Sequence, residues 1–390
     1  MAKKLHRIAI AVILTSSTLS IMAGAIIAPV LNLIRDMFGL STASVGLVVT
    51  IHALSVAIFS PLFGNIIDRI GPKKPLVFGL LVYGIAGASG VFITSYSMLL
   101  LSRAIMGIGI AAFFNAITVT ILNLYEGELR NLVMGWRTTA ISVGGIIWPI
   151  IGGFLGDISY NLPFVIYSIG IVLAVLTIIA VPATPGGKTR EKEDKGTIIT
   201  ALKKRPKLIA IYIFMFFLAL FLFSIVVFLP QLLPSIGIES PLSISLFISE
   251  MMIFAAIASM NYRRIRERNS YKMIILTTLF AWTVGFLLIS LAFSAITTAI
   301  SLALFGLGLG IAMPATMTWA GELVPVSLQG RVLSYLGAIT FSGEFLSPVV
   351  LAPVDDVLGL KGVFLVVGIA SAVLFVVYLM ALQDDTKGKT

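Results

Sequence analysis

Four ionisable side chains stand inside long apolar runs: His52, Arg103, Glu250 and Glu344. A charge at a bilayer centre costs ~2.5–3.5 kcal/mol on insertion scales, so each calls for a role. Glu250 and Glu344 are the candidates for binding protons, because a carboxyl in a low-dielectric cavity exchanges its proton nearer physiological pH than one in water. Pro348 follows Glu344 by one turn and leaves nearby carbonyls open to a protonated acid. The competing reading is a structural glutamate satisfied by Ser249, Ser342 or Ser347. His52 titrates in the useful range, with a packed, neutral imidazole as its alternative. Arg103 suits a carboxylate, a solute anion or backbone carbonyls. The hydroxyls of Thr15 and Thr18, with Ser16, Ser17 and Ser20, would be wasted against lipid and are expected to face a cavity. Phe113, Phe114, Trp148, Phe217, Phe221 and Trp319, with Asn115 among them, offer the surface that a lipophilic solute needs.

The elements that must position these groups follow from composition. The chain has 390 residues, 58% hydrophobic and 11% charged. Apolar stretches of roughly 20 residues, each able to cross a hydrocarbon layer of about 30 Å, recur throughout. Twelve are expected, with span one near 8–34, two near 44–66, four near 97–124, five near 135–155, eight near 242–260 and eleven near 331–352. They must be helices, since unpaired backbone facing lipid costs several kcal/mol per group and runs this long do not alternate as barrel strands do. The net charge of +10 is explained by orientation rather than by nucleic acid. With the N-terminus in the cytoplasm, all but Arg35, Lys361 and Arg103 of the 27 Lys and Arg fall on cytoplasmic loops, tails or helix ends, so both termini are expected inside. Cysteine is absent, which removes disulfides and thiolate metal sites.

The longest polar break, Pro182 to Lys207, divides six spans from six. The expected organisation is an N-terminal six-helix bundle over 1–181, a cytoplasmic linker over 182–207 and a C-terminal six-helix bundle over 208–390. At an offset of 199 residues Gly107 falls on Gly306, Gly109 on Gly308, Pro149 on Pro348 and Asp157 on Asp356. The repeat is clear for spans four to six against ten to twelve and weaker for the first three of each half. Two parallel six-span repeats around a midplane site are what a rocking-bundle transporter needs.

Between spans two and three lies Gly64-Asn65-Ile66-Ile67-Asp68-Arg69-Ile70-Gly71-Pro72-Lys73-Lys74. Gly64 permits close approach of another helix, Asp68 can face a helix N-terminus or an arginine, and Gly71-Pro72 enforces a tight turn carrying two cations. This run resembles the signature loop of the major facilitator superfamily, and the resemblance covers essentially all twelve spans. It implies an all-α integral membrane fold of two six-helix bundles. It also implies a conformational latch built from Gly64, Asp68, Arg69, Gly71, Lys73 and Lys74, with Asp68 meeting the helix that opens near Gly330-Arg331 and Arg130 as a second partner. The loop after span eight, residues 261–268, keeps cations but lacks the glycine–aspartate pair. Two further stretches are similar to the drug:proton antiporter branch of that family. One is Arg103-Ala104-Ile105-Met106-Gly107-Ile108-Gly109, with methionine where the branch has glutamine. The other is the helix-bend motif Gly144, Gly145, Pro149, Gly152 and Gly153, where Trp148 replaces an expected glycine and Pro348 is the counterpart of Pro149 in the second half.

The expected function is therefore secondary active transport by alternating access, as proton-coupled efflux of hydrophobic or amphipathic small molecules from the cell membrane. Movement of a small organic anion, with Arg103 as its partner, and a non-transporting sensor or assembly factor are the alternatives. No enzyme, metal site or cofactor is expected, the proton gradient being the energy source. Gly187-Lys188-Thr189 has Pro182 where a P-loop needs its first glycine, so a nucleotide-driven pump is excluded. The partners are the solute, protons and lipid, with no nucleic acid and a monomeric chain.

Overall fold

The computed structural model describes residues 2–185, 205–291 and 294–382, with the side chains of 2–7 and of Asn131, Val326, Ser327 and Arg331 excepted. Within them all regular structure is helical. The chain divides into two compact units, Met1–Glu193 and Asp194–Thr390. Most of the expected linker, 186–204, lies outside the described residues.

Unit 1 comprises α1 (Ala2–Ala25), α2 (Leu31–Phe38), α3 (Thr42–Ile70), α4 (Lys73–Ser89), α5 (Tyr96–Leu124), α6 (Gly127–Ile158), the short α7 (Leu162–Val165) and α8 (Ile169–Ala180). Ser41 caps α3 by accepting from the Ser44 amide at 3.2 Å. Gly71 ends that helix at φ 82°, a left-handed conformation that a side chain would resist, and Pro72 starts α4 at once. The tight turn read from Gly71-Pro72 is thus present. Within the unit α1 packs on α6, α3 on α5, and α4 on α5 and α8.

Unit 2 comprises α9 (Pro206–Leu232), α10 (Pro241–Met260), α11 (Tyr262–Arg268), α12 (Tyr271–Leu291), α13 (Ala295–Glu322) and α14 (Val326–Ala381). A capping box between Ser294 and Thr297 begins α13. The 56-residue α14 is two helices joined at Gly359, whose φ of 69° breaks the run. Here α9 packs on α14, α10 on α13, and α12 on both α13 and α14. Among the described residues, ten helical segments are long and apolar enough to cross a bilayer. The twelve expected spans are recovered when α14 is divided at Gly359 and the 17-residue α4 is counted. The helices carry wide outward apolar faces, as at Ile179 and Met380, which lipid rather than water can solvate.

The repeat reaches further than residue identity suggested. A Cβ added to Gly107 would strike the His52 carbonyl, and one added to Gly306 would strike the Met251 carbonyl. Gly109 meets Gly79 and Tyr83, while Gly308 meets Thr278 and Trp282. Each partner pair keeps the same spacing as the glycines, so spans two and three repeat as eight and nine.

Candidate functional site

In unit 1, Arg103 is fully buried on α5. Its Nε donates to the Val48 carbonyl at 3.3 Å, and Nη2 donates to the Ala23 carbonyl at 3.2 Å and to the Tyr167 hydroxyl at 2.6 Å. The Tyr167 hydroxyl in turn donates to the Ala23 carbonyl at 2.7 Å. The guanidinium also lies 4.6 Å from the Tyr167 ring centre and 5.3 Å from that of Phe164. Oxygens and π faces from four elements therefore solvate this charge, and of the acceptors open to it in the sequence reading it takes the backbone carbonyls. His52, on α3, is also buried, and its carbonyl is the surface on which Gly107 rests.

The helix-bend motif does close-packing work. On α6, Gly144 lies against Thr18 and against the Trp148 ring, and a Cβ at Gly152 would collide with the Ile26 carbonyl. Ser17, Thr18 and Ser20 donate to carbonyls of their own helix. Thr15 and Trp148 are half-buried, and Asn115 donates to the Ser60 and Ala111 carbonyls at 3.2 and 3.0 Å. Phe113 does not offer open aromatic surface. It is fully buried, edge-on to Tyr83 at 5.5 Å, because α4 covers that side of α5.

The loop motif departs from expectation at three places. A Cβ on Gly64 would meet no described atom of its own unit within 4 Å, so within unit 1 the approach this glycine permits is not used among the described residues. Arg130 does not pair with Asp68: it donates to the Tyr125 and Leu122 carbonyls at 2.9 and 3.2 Å, neutralising the negative end of α5, and Asp68 is exposed. Lys73 likewise serves a helix end, donating to the Ile178 carbonyl of α8 at 2.9 Å, while Arg69 and Lys74 are exposed. The Arg331 side chain lies outside the described residues.

A second arginine escaped the sequence reading. Arg137 is only 7% exposed on α6, with Nη1 donating to Thr118 Oγ1 at 2.8 Å, Nη2 to the Phe114 carbonyl at 3.4 Å, and the charge 4.7 Å from the Phe114 ring centre. A span five that begins at 135 makes Arg137 a helix-end cation, whereas α6 begins at Gly127 and embeds it.

In unit 2, Glu344 is 6% exposed on α14. Gly343 lets that helix touch the Phe216 carbonyl of α9, and Ser347 donates to the Leu220 carbonyl at 2.9 Å, which commits one of the three serines named for the glutamates. Pro348 lacks the N–H that would bond the carbonyl of Glu344 itself. Glu250 is half-buried on α10, at a shallow groove lined by Leu246, Phe247, Ala295, Ile296 and Ala299. The two acids stand on different helices and are not brought together by any described contact.

The aromatic candidates of unit 2 also divide. Phe221 is fully buried against Trp282 and Phe286, at 6.1 and 5.6 Å between ring centres, so it belongs to the core. Trp319 is buried near the end of α13, stacked on Tyr271 at 5.3 Å, with Arg266 capping the stack 3.7 Å from the Tyr271 ring centre. Both are corrected from open surface to packing. Phe217 keeps partial exposure beside Phe221.

Known proteins agree with this architecture. The family model described as Major Facilitator Superfamily matches residues 13–348 and 240–390. Multidrug resistance protein 1 of Bacillus subtilis is 30% identical over 189 residues, covering 48% of this chain and 49% of that protein. Quinolone resistance protein NorA of Staphylococcus aureus is 28% identical over 157 residues, 40% of each. The chain thus spans about half the length of the curated relatives it matches. Among solved structures, nucleoside transporter NupG superposes with a TM-score of 0.79 at 16% identity over 96% of this chain and all of that one. A D-xylose–proton symporter gives 0.79 at 15% identity over 98% of both. At such identities the likeness concerns the fold alone.

Proposed function

The chain belongs to the Major Facilitator Superfamily, and from that premise we propose that it is a secondary active transporter exporting hydrophobic or amphipathic small molecules by alternating access, driven by protons. The observation that carries the reading is Glu344. A carboxyl buried in an apolar helix is costly to insert and has no packing value that a neutral side chain lacks, which favours a chemical duty. Its repeat counterpart, 199 residues earlier, is Gly145 of the helix-bend motif, so an acid occupies in one unit the place of a buried glycine in the other. A proton taken by Glu344 neutralises the helix and lets it move through apolar surroundings, and release restores a charge that a solute can replace. Glu250, at its groove, is the second carrier. The multidrug relatives named above support the amphipathic substrate class.

The reading places the chain as a monomer in the cell membrane with both termini cytoplasmic. Arg103 positions α1, α3 and α5 rather than meeting the solute, and the exposed Asp68 remains the latch residue. Purified protein reconstituted in liposomes with an imposed pH gradient tests this reading. Tetraphenylphosphonium should be driven against its gradient, and Glu344→Gln should reduce that driven flux at least tenfold. Driven flux that survives Glu250→Gln and Glu344→Gln together would remove both acids from coupling.

A further inference from the structure

Arg137 is a charge for which the described residues of unit 1 supply no opposite charge within the membrane stretch. The described acids of this unit, Asp36, Asp68, Glu126, Glu128 and Asp157, all stand at helix ends. Arg137 lies ten residues into α6, about 15 Å from its start at 1.5 Å per residue. A long cationic side chain near a helix end ordinarily runs outward to water. This one turns inward instead, onto the Phe114 ring, and is buried there.

The donor count is incomplete. Thr118 Oγ1 takes Nη1, and the Phe114 carbonyl takes Nη2 at 3.4 Å while also accepting from Thr118 at 3.3 Å. The Nε–H is buried and has no acceptor among the described residues. Nε and the weakly held Nη2 form one edge of the guanidinium fork, the edge that receives a carboxylate side-on through two parallel hydrogen bonds. Beside it, α6 carries a polar stripe of Thr138, Thr139 and Ser142, each hydroxyl donating to the carbonyl four residues earlier and keeping its oxygen as an acceptor. Such a stripe belongs against a wet surface rather than lipid. Arg103 differs on both counts, being closed in by α1, α3 and Tyr167, with Nε, Nη1 and Nη2 all engaged.

Resting on the transport reading, we propose that Arg137, seated on Phe114 and Thr118, is an anion-recognition site taking the carboxylate or comparable negative group of an amphipathic solute. The aromatic and hydroxyl surroundings receive the rest of such a molecule, and the fork selects acids over their neutral esters.

The test uses the full chain in lipid nanodiscs, with affinities for 1-naphthoate and methyl 1-naphthoate measured by titration calorimetry. Wild type should prefer the acid at least tenfold, since a charge-assisted hydrogen bond in a desolvated site is worth that much or more. Arg137→Gln should abolish the preference, and Arg137→Lys, which keeps the charge without the fork, should reduce it severalfold. Equal weakening of acid and ester in Arg137→Gln assigns a structural role and overturns the proposal, as does an unchanged preference. If Arg137→Gln does not fold, Arg137→Lys decides, and full retention of the preference there overturns it. Wild type that transports tetraphenylphosphonium in liposomes yet shows no preference for naphthoate refutes this site alone, whereas protein that neither drives tetraphenylphosphonium in liposomes nor binds either naphthalene probe refutes the transport reading with it.

Discussion

Unit 1 and unit 2 share one scaffold and differ in the sign of the charge they bury. The glycines that seat α5 on α3 and α13 on α10 meet carbonyls at equivalent positions, His52 and Met251. On this common frame unit 1 embeds Arg103 and Arg137, whose repeat counterparts are the buried Leu302 and Leu336. Unit 2 embeds Glu344, whose counterpart is Gly145, and half-buries Glu250, whose counterpart is Ile51. The difference teaches that the helix frame fixes packing while each unit adapts a few positions to its own chemistry: cations held by hydroxyls, ring faces and carbonyls in one, carboxyls in the other. The cores follow suit. Around Tyr83 unit 1 gathers Phe113 and Tyr167, the latter holding Arg103, and around the equivalent Trp282 unit 2 gathers Phe214, Phe221 and Phe305.

The harshest way to break this comparison is to move a charge across it. Leu302→Arg places a guanidinium at a buried position of unit 2, where the counterpart of Tyr167 is Val366 and supplies no phenol. We expect a loss of at least ~2.5–3.5 kcal/mol and little monodisperse protein on size-exclusion chromatography. If Leu302→Arg accumulates normally, the solvation shell around Arg103 is not what permits that charge. Next, Gly107→Val and Gly306→Val force side chains onto the facing carbonyls, and each should cost about 1–3 kcal/mol in thermal unfolding. Similar losses sharpen the equivalence of the units, and a large loss in one with none in the other breaks it. Tyr167→Phe removes the hydroxyl between Arg103 and Ala23 and should cost about 1–2 kcal/mol, read from the same unfolding curves. The smallest effect belongs to Tyr83→Phe, which loses one bond of 2.9 Å to the Leu19 carbonyl, about 1 kcal/mol. Trp282→Phe should exceed it slightly, since its 3.0 Å bond to the Phe305 carbonyl goes together with indole stacking area.

Much of the frame was legible in the sequence because lipid imposes length and apolarity on every span. Gly71-Pro72 announced its turn, and the helix-bend glycines their close contacts, since both depend on the missing Cβ. The repeat in the first three spans was faint for a definite reason: the atoms meeting Gly107 and Gly306 are backbone carbonyls, which any residue supplies. Partners distant in sequence were equally hidden. Nothing local to Arg103 points to Tyr167 or to the Ala23 carbonyl, and Arg130 faced two plausible acceptors, of which the carbonyls at the end of α5 prevailed over Asp68. Arg137 was missed because a helix start misplaced by eight residues turned an embedded cation into a surface one. Phe113, Phe221 and Trp319 showed their size in the sequence but not which side of the helix each faced.

The division of labour, with the acids of unit 2 handling protons, is tested most directly by counting protons on solute binding. Purified chain in weakly buffered detergent is titrated with tetraphenylphosphonium while a pH indicator reports release. The account predicts release from wild type that Glu344→Gln abolishes while the probe still binds. Undiminished release from the doubly substituted Glu250→Gln, Glu344→Gln protein would contradict it.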